Sequence, residues 1–169
     1  INTNWNDKLN WCGGYVPAAT TSITIPAGLT NYPVISSTVN IKNIVLANAS
    51  TVTVSSSGKL VVTGTYTNNG STIINNGDWE MAGSATGQVF PGALAIVLAM
   101  KNLEISNPSG ITFNKSFSIT GTLKATAGNI TISNVEITLR STATATASVA
   151  PIQAGASISY TGNGVFVVE

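Results

Sequence analysis

The chain has 169 residues, 43% hydrophobic and only 8% charged, with no histidine, a single cysteine and a net charge of +1. This is one domain's worth of chain, long enough for a continuous core. Without a basic cluster it has nothing to neutralise nucleic-acid phosphates, and no apolar run nears the ~18 residues of a membrane span.

The first segment, residues 1–22, has no strand alternation and holds Trp5, Trp11 and Tyr15. Cys12 lies here too, and with no second cysteine and no histidine to act as base it reads as an inert, buried or half-buried thiol. No secretory leader opens the chain and Ile1 is not an initiator, so the expectation is a trimmed piece of something longer.

From Ile23 to residue 169 the pattern changes to short strands. Apolar pairs at i, i+2 occur at Ile23/Ile25, Val39/Ile41, Ile44/Leu46, Val52/Val54, Leu60/Val62 and Trp79/Met81. They continue at Leu103/Ile105, Ile111/Phe113, Phe117/Ile119, Ile130/Ile132, Ile137/Leu139, Ile158/Tyr160 and Phe166/Val168. A period of two puts one side chain inward and the next outward. Turn residues separate the pairs, among them Ser57-Gly58, Asn76-Gly77, Gly128-Asn129 and Gly162-Asn163-Gly164. Ala93–Met100 is the one helix candidate, and a buried strand explains it as well.

Two blocks, 42–100 and 101–158, repeat one another. Lys42-Asn43 matches Lys101-Asn102, Val52-Thr53-Val54 matches Ile111-Thr112-Phe113, and Thr63-Gly64-Thr65 matches Thr120-Gly121-Thr122, at an offset of about 59 residues. Self-similarity at this scale predicts stacked units rather than a sandwich. The expectation is an all-β, right-handed parallel β-solenoid, its handedness taken by analogy with other solenoids. It would have roughly seven coils of about 19–20 residues, three to each block, so that matched residues occupy equivalent positions. Residues 1–22 would then form an aromatic N-terminal cap.

The opening Asn4-Trp5-Asn6, Asn10-Trp11, Val16-Pro17, Ile23-Thr24-Ile25-Pro26-Ala27-Gly28 and Tyr32-Pro33-Val34 resembles a module of secreted surface proteins of Bacteroidota. Gly58-Lys59-Leu60-Val61-Val62-Thr63-Gly64, Thr67-Asn68-Asn69-Gly70 and the closing Gly164-Val165-Phe166-Val167-Val168-Glu169 are similar to the same type. The resemblance implies export by type IX secretion, an extracellular or cell-surface location, and adhesin, matrix or accessory roles beside polysaccharide-acting enzymes. It also implies a further Trp-containing strand before Asn2 and a following domain after Glu169.

The acids are Asp7, Asp78, Glu80, Glu104, Glu136 and Glu169. Asp78 and Glu80 flank Trp79 and share the outward face if Trp79 points inward. Asp78 matches Glu136, but equivalent positions three coils apart lie about 14 Å from each other, beyond the reach of a carboxylate pair on one glycosidic bond. No catalytic residue, cofactor or metal site is expected. Thr-x-Thr steps such as Thr51/Thr53 and Thr142/Thr144/Thr146 are too scattered for a flat ice-binding array.

The function expected is therefore a non-enzymatic structural or adhesive module. Its ends would meet other protein chains or adjacent domains, with self-association into a filament among the outcomes and surface glycans as further partners. Nucleic acid and membrane insertion are not expected. The alternative is a carbohydrate-binding module, with Trp5, Trp11 and Tyr15 as either glycan contacts or cap. Val165, Phe166, Val167 and Val168 are the candidate end-to-end contact strand, since an open strand edge templates strand addition.

Overall fold

A computed structural model describes residues 2–169. The chain winds as a parallel β-solenoid of about six turns, one fewer than the spacing suggested. Each turn has three sides.

The first side stacks β2 (Val34–Ile35), β5 (Thr51–Val54) and the first half of β8 (Thr72–Met81). It continues through the first half of β10 (Ile96–Ser106), β12 (Phe117–Ile119), β14 (Glu136–Leu139) and β17 (Val165–Val168). The second side stacks β3 (Thr38–Ile41), β6 (Lys59–Val62), the second halves of β8 and β10, the start of β13 (Thr122–Ser133) and β15 (Ser148–Val149). The third side stacks β1 (Ser22–Ile25), β4 (Asn43–Leu46) and β7 (Tyr66–Asn68), then β9 (Val89–Phe90), β11 (Ile111–Phe113), the end of β13 and β16 (Ala156–Thr161). Every pairing between the named strands is parallel, because each coil runs the same way round as the one before; the 140–147 loop adds one antiparallel bridge, Thr142 to Ala145.

All the apolar pairs picked out by alternation lie on strands, and from Ile23/Ile25 to Ile137/Leu139 their members form one continuous core; Ile158 and Phe166 pack against it half-buried, while Tyr160 and Val168 are exposed. Aromatic rings meet along its middle: Tyr66 and Trp79 at 6.0 Å, Trp79 and Phe90 at 5.8 Å, Phe90 and Phe117 at 5.7 Å, Phe113 and Phe117 at 5.3 Å. The Tyr66 hydroxyl stays in the core by donating to the Pro91 carbonyl and accepting from Asn68, and burial pushes its pKa up. Ala93–Met100 is extended from Ile96 on rather than helical, and it is not uniformly buried: Leu94, Ile96 and Leu98 face outward. Asn76-Gly77 and Gly128-Asn129 are bends inside the continuous strands β8 and β13 rather than breaks.

The step between stacked partners is 21 residues from Ser22 to Asn43, 22 from Asn43 to Thr65, 20 from Asn102 to Thr122 and 28 from Asn129 to Ser157. The last step is long because a loop, residues 140–147, leaves the solenoid between β14 and β15. These steps correct the reading of the repeat. An offset of about 59 residues spans eight sides, not nine. Val54 on the first side therefore matches Phe113 on the third, and Leu60 on the second matches Phe117 on the first. All four are buried in the common core.

What recurs is a corner contact between neighbouring coils. The Asn43 Oδ1 accepts from the Thr65 amide at 2.7 Å, and Lys42 O accepts from the Gly64 amide at 2.7 Å. One corner short of three full turns later, Asn102 Oδ1 accepts from the Thr122 amide at 2.9 Å, and Lys101 O from the Gly121 amide at 2.9 Å. A Cβ on Gly64 or Gly121 would run into that same Asn carboxamide, so glycine is the residue that fits. Lys-Asn on one coil and Thr-Gly-Thr on the next are thus two halves of one vertical bond set, used at two different corners.

Excision separates the two interpretations of the repeat. Removing residues 44–65 joins Asn43 to Tyr66, both on the third side, and should leave a shorter solenoid that unfolds cooperatively. Removing 42–100 joins β3 directly to another second-side strand and skips a corner. That product should lose its cooperative thermal transition and its β-sheet circular dichroism, and equal stability of both products would refute the three-sided register.

Candidate functional site

Three places carry polar or apolar groups that a partner could meet: the outer face of the second side and the two ends.

On the second side, parallel register brings outward residues into two columns. Lys59, Asp78 and Asn102 form one; Glu80, Glu104 and Lys124 form the other. As the alternation requires, Trp79 points inward and is 1% exposed, with Asp78 and Glu80 facing out. Glu80 and Glu104 are like charges on adjacent coils, a costly neighbour pair. Cations offset the repulsion: Lys59 Nζ lies 2.7 Å from Glu80 Oε2 and 3.8 Å from Glu104 Oε2, and Lys124 Nζ lies 2.9 Å from Glu104 Oε1. Ser106 and Thr126 donate to Glu80 and Glu104 at 2.7 Å each, and Asn102 donates to Asp78 at 2.9 Å. Burial pushes the Glu104 carboxyl up, but the hydrogen bonds from Lys124 and Thr126 and the two lysine charges outweigh it and hold the pKa down. The hydrogen bond to Glu80 raises Lys59 against the opposing effect of burial. A shallow cleft of about 270 Å³ lies along this network. All three of its carboxylates are engaged by partners on the same face. Among the described residues no three His, Cys, Asp or Glu side chains gather as a metal site, and no helix is long and apolar enough to cross a membrane.

Nothing local in the sequence announces this network. Successive members of its columns sit 19 to 24 residues apart, and the winding alone brings them together. The one available signal was the coil step, read slightly short.

At the N-terminal end, Asn4 bridges Val34 in parallel, with Trp5 N donating to Val34 O at 3.2 Å. This sets Trp5 into the core cluster at 1% exposed. Trp11 packs against it half-buried, its ring 4.8 Å away and inclined by 64°, and donates its Nε1 to Trp5 O at 2.8 Å. Asn2, Asp7 and Asn10 tie the segment together through their side chains. Tyr15 stands apart, 83% exposed. Cys12 is exposed, not buried or half-buried as expected, because the turn carrying it lies outside the core. A cavity of about 260 Å³ opens here between Trp5, Trp11, Ile25, Leu29, Pro26 and Pro33, with Cys12 on its wall.

At the C-terminal end the inward columns lie bare. Phe166 sits in register with Ile137 and Val168 with Leu139, both buried, yet Val168 is 71% exposed. Val165 is exposed, while Phe166 and Val167 are half-buried. Tyr160, in register with buried Ile132, is 53% exposed. Arg140 and Glu169 pair at 3.0 Å beside this end.

No family model matches the chain, and neither a curated protein nor a solved structure matches it significantly.

Replacing Lys59 by Met leaves Glu80 and Glu104 adjacent without their shared cation. The variant should lose about 1 kcal/mol by denaturant unfolding, and the double change Lys59→Met with Glu80→Gln should recover most of it. The lowered Glu104 pKa adds stability that is present above its unfolded pKa and lost as pH falls through the folded one. The raised Lys59 pKa acts oppositely, its contribution being lost as pH rises through the folded value. Acid titration of Glu104→Gln should therefore show a shallower loss of stability than the parent.

Proposed function

We propose that the chain is a non-enzymatic structural or adhesive module of an extracellular bacterial surface protein or filament, and that its ends are engaged by other protein chains or adjacent domains. One observation carries the proposal. The charged side chains of the second side are satisfied by one another, while the last coil leaves Tyr160 and Val168 exposed in core columns. A surface that is self-satisfied along its length and unsatisfied at its end favours axial contacts. The low charge and the resemblance to secreted Bacteroidota modules support the extracellular location and export by type IX secretion. Residues 1–22 act in this reading as the aromatic cap, with Trp5 as its buried plug.

The carbohydrate-binding alternative draws on exposed Tyr15 and half-buried Trp11. Against it, buried Trp5 and the 64° inclination of the two indoles give no coplanar exposed pair for sugar stacking.

Electron microscopy of native material tests the main reading, with rods or filaments longer than one module as the expected result and isolated single modules as the contrary one. Incubation with a polysaccharide panel should give no turnover. Turnover abolished by Asp78→Asn or Glu80→Gln would overturn the non-enzymatic assignment. Glycan retention abolished by Tyr15→Ala and Trp11→Ala at unchanged stability would install the alternative.

A further inference from the structure

We infer that the loop at residues 140–147 is the acceptor site for an O-linked glycan, carried on Thr144 and Thr146. The inference rests on the reading that the chain is extracellular, and it adds a covalent modification to that reading.

The loop is surplus to the winding. The last coil steps 29 residues, from Glu136 to Val165, where the first steps 21, from Ser22 to Asn43. The eight residues of the loop equal that difference, so without them the coil would close at an ordinary step. Ala147, at the loop's end, is its one buried residue. An excursion that adds so little to the core is defined by what it presents to solvent.

What it presents is hydroxyl. Ser141-Thr142-Ala143-Thr144-Ala145-Thr146-Ala147 has no charge and no side chain larger than threonine. Arg140 at its base is paired with Glu169 at 3.0 Å. A protein partner would find neither an apolar anchor nor a free charge there. Hydroxyls set among small residues, with Pro151 close behind, make up the composition of O-glycosylated segments.

The hydroxyls are of two kinds. Thr142 N donates to Ala145 O at 2.8 Å and closes the turn. The Thr142 Oγ1 accepts from the Ala145 amide at 3.1 Å, and the Ser141 Oγ accepts from the Ala147 amide at 3.2 Å. Those two hold the loop in shape. Thr144 and Thr146 are exposed, and among the described residues their hydroxyls have no hydrogen-bond partner. Threonines on the sides of the solenoid are placed differently. Thr53 lies between Val34 and Ile74, and Thr112 between Val89 and Thr131, with strands paired on both edges. A transferase must draw the acceptor hydroxyl into its own active site. A loop residue can be lifted there, whereas a strand residue would first have to break its ladder.

The chemistry is a glycosyl transfer. Threonine Oγ1 attacks C1 of a sugar whose C1 oxygen is esterified to phosphate, as in a nucleotide- or lipid-linked donor. The Oγ1–C1 bond forms as the bond from C1 to the phosphate oxygen breaks. The phosphate leaves with the electron pair, the hydroxyl proton passes to a base of the transferase, and nothing is oxidised or reduced. A glycan here adds hydrated bulk to a chain with only 8% charged residues.

Mass spectrometry of the native protein supplies the test. Trypsin cuts after Arg140, and the peptide beginning at Ser141 should exceed its sequence mass by whole sugar residues. Electron-transfer fragmentation should place them on Thr144 and Thr146. The double change Thr144→Val with Thr146→Val, expressed in the producing cells, should lose the added mass entirely. Its thermal transition should be unchanged, since neither hydroxyl bonds within the fold. A peptide of bare sequence mass overturns the inference. So does phosphate in place of sugar, or sugar confined to other residues. Labelling intact cells with a membrane-impermeant amine reagent tests location separately. A labelled protein with a bare loop overturns the glycan alone, and an unlabelled, unmodified one overturns the extracellular reading with it.

Discussion

Every coil of this protein depends on the coils above and below it for its backbone hydrogen bonds. A short strand of three or four residues has no internal partner for its N–H and C=O groups, so it holds its shape only by pairing with a strand about 4.8 Å away in a neighbouring coil. Parallel stacking meets that need for six turns and at the same time lines the inward side chains into columns. The core, the corners, the charged face and the character of the two ends all follow from this arrangement.

The corners show how closely the coils must fit. A turn has to change direction without leaving carbonyls and amides unpaired, and here asparagine side chains of one coil cap backbone amides of the next. Asn43 over Thr65, Asn102 over Thr122 and Asn134 over Asn163 repeat the device at different corners. Glycine at 64, 121 and 162 makes room for the carboxamide. This use of asparagine, threonine and glycine explains how the chain keeps a polar surface with so little charge. Where charge does occur on the second side, stacking would force Glu80 against Glu104, and two lysines from further coils lie against them.

Much of the fold was legible because inward positions are mostly apolar. Strands escaped the alternation search where they are not. Asn75 sits inward on β8, fully buried, donating to Asn102 O at 2.9 Å and accepting from the Gly77 amide. A polar residue in a core slot breaks the apolar rhythm without breaking the strand. β2, β9 and β15 escaped because two residues are too few to show a period. The repeat itself was visible, but its period was assigned to coils when it belongs to sides.

Local chemistry in the sequence determined that the chain is all-β and which residues fill most of the core, since a period of two is a property of neighbours along the chain, and the internal repeat pointed to stacked coils. Tertiary structure alone decided which columns the outward residues form. The step from one coil to the next varies from 19 residues, Lys59 to Asp78, to 29, Glu136 to Val165. The meeting of Lys59, Glu80, Glu104 and Lys124, the burial of Trp5 against an exposed Cys12, and the bare core columns beside Tyr160 and Val168 depend on that winding. No interaction between adjacent residues specifies it; the packing of whole coils does.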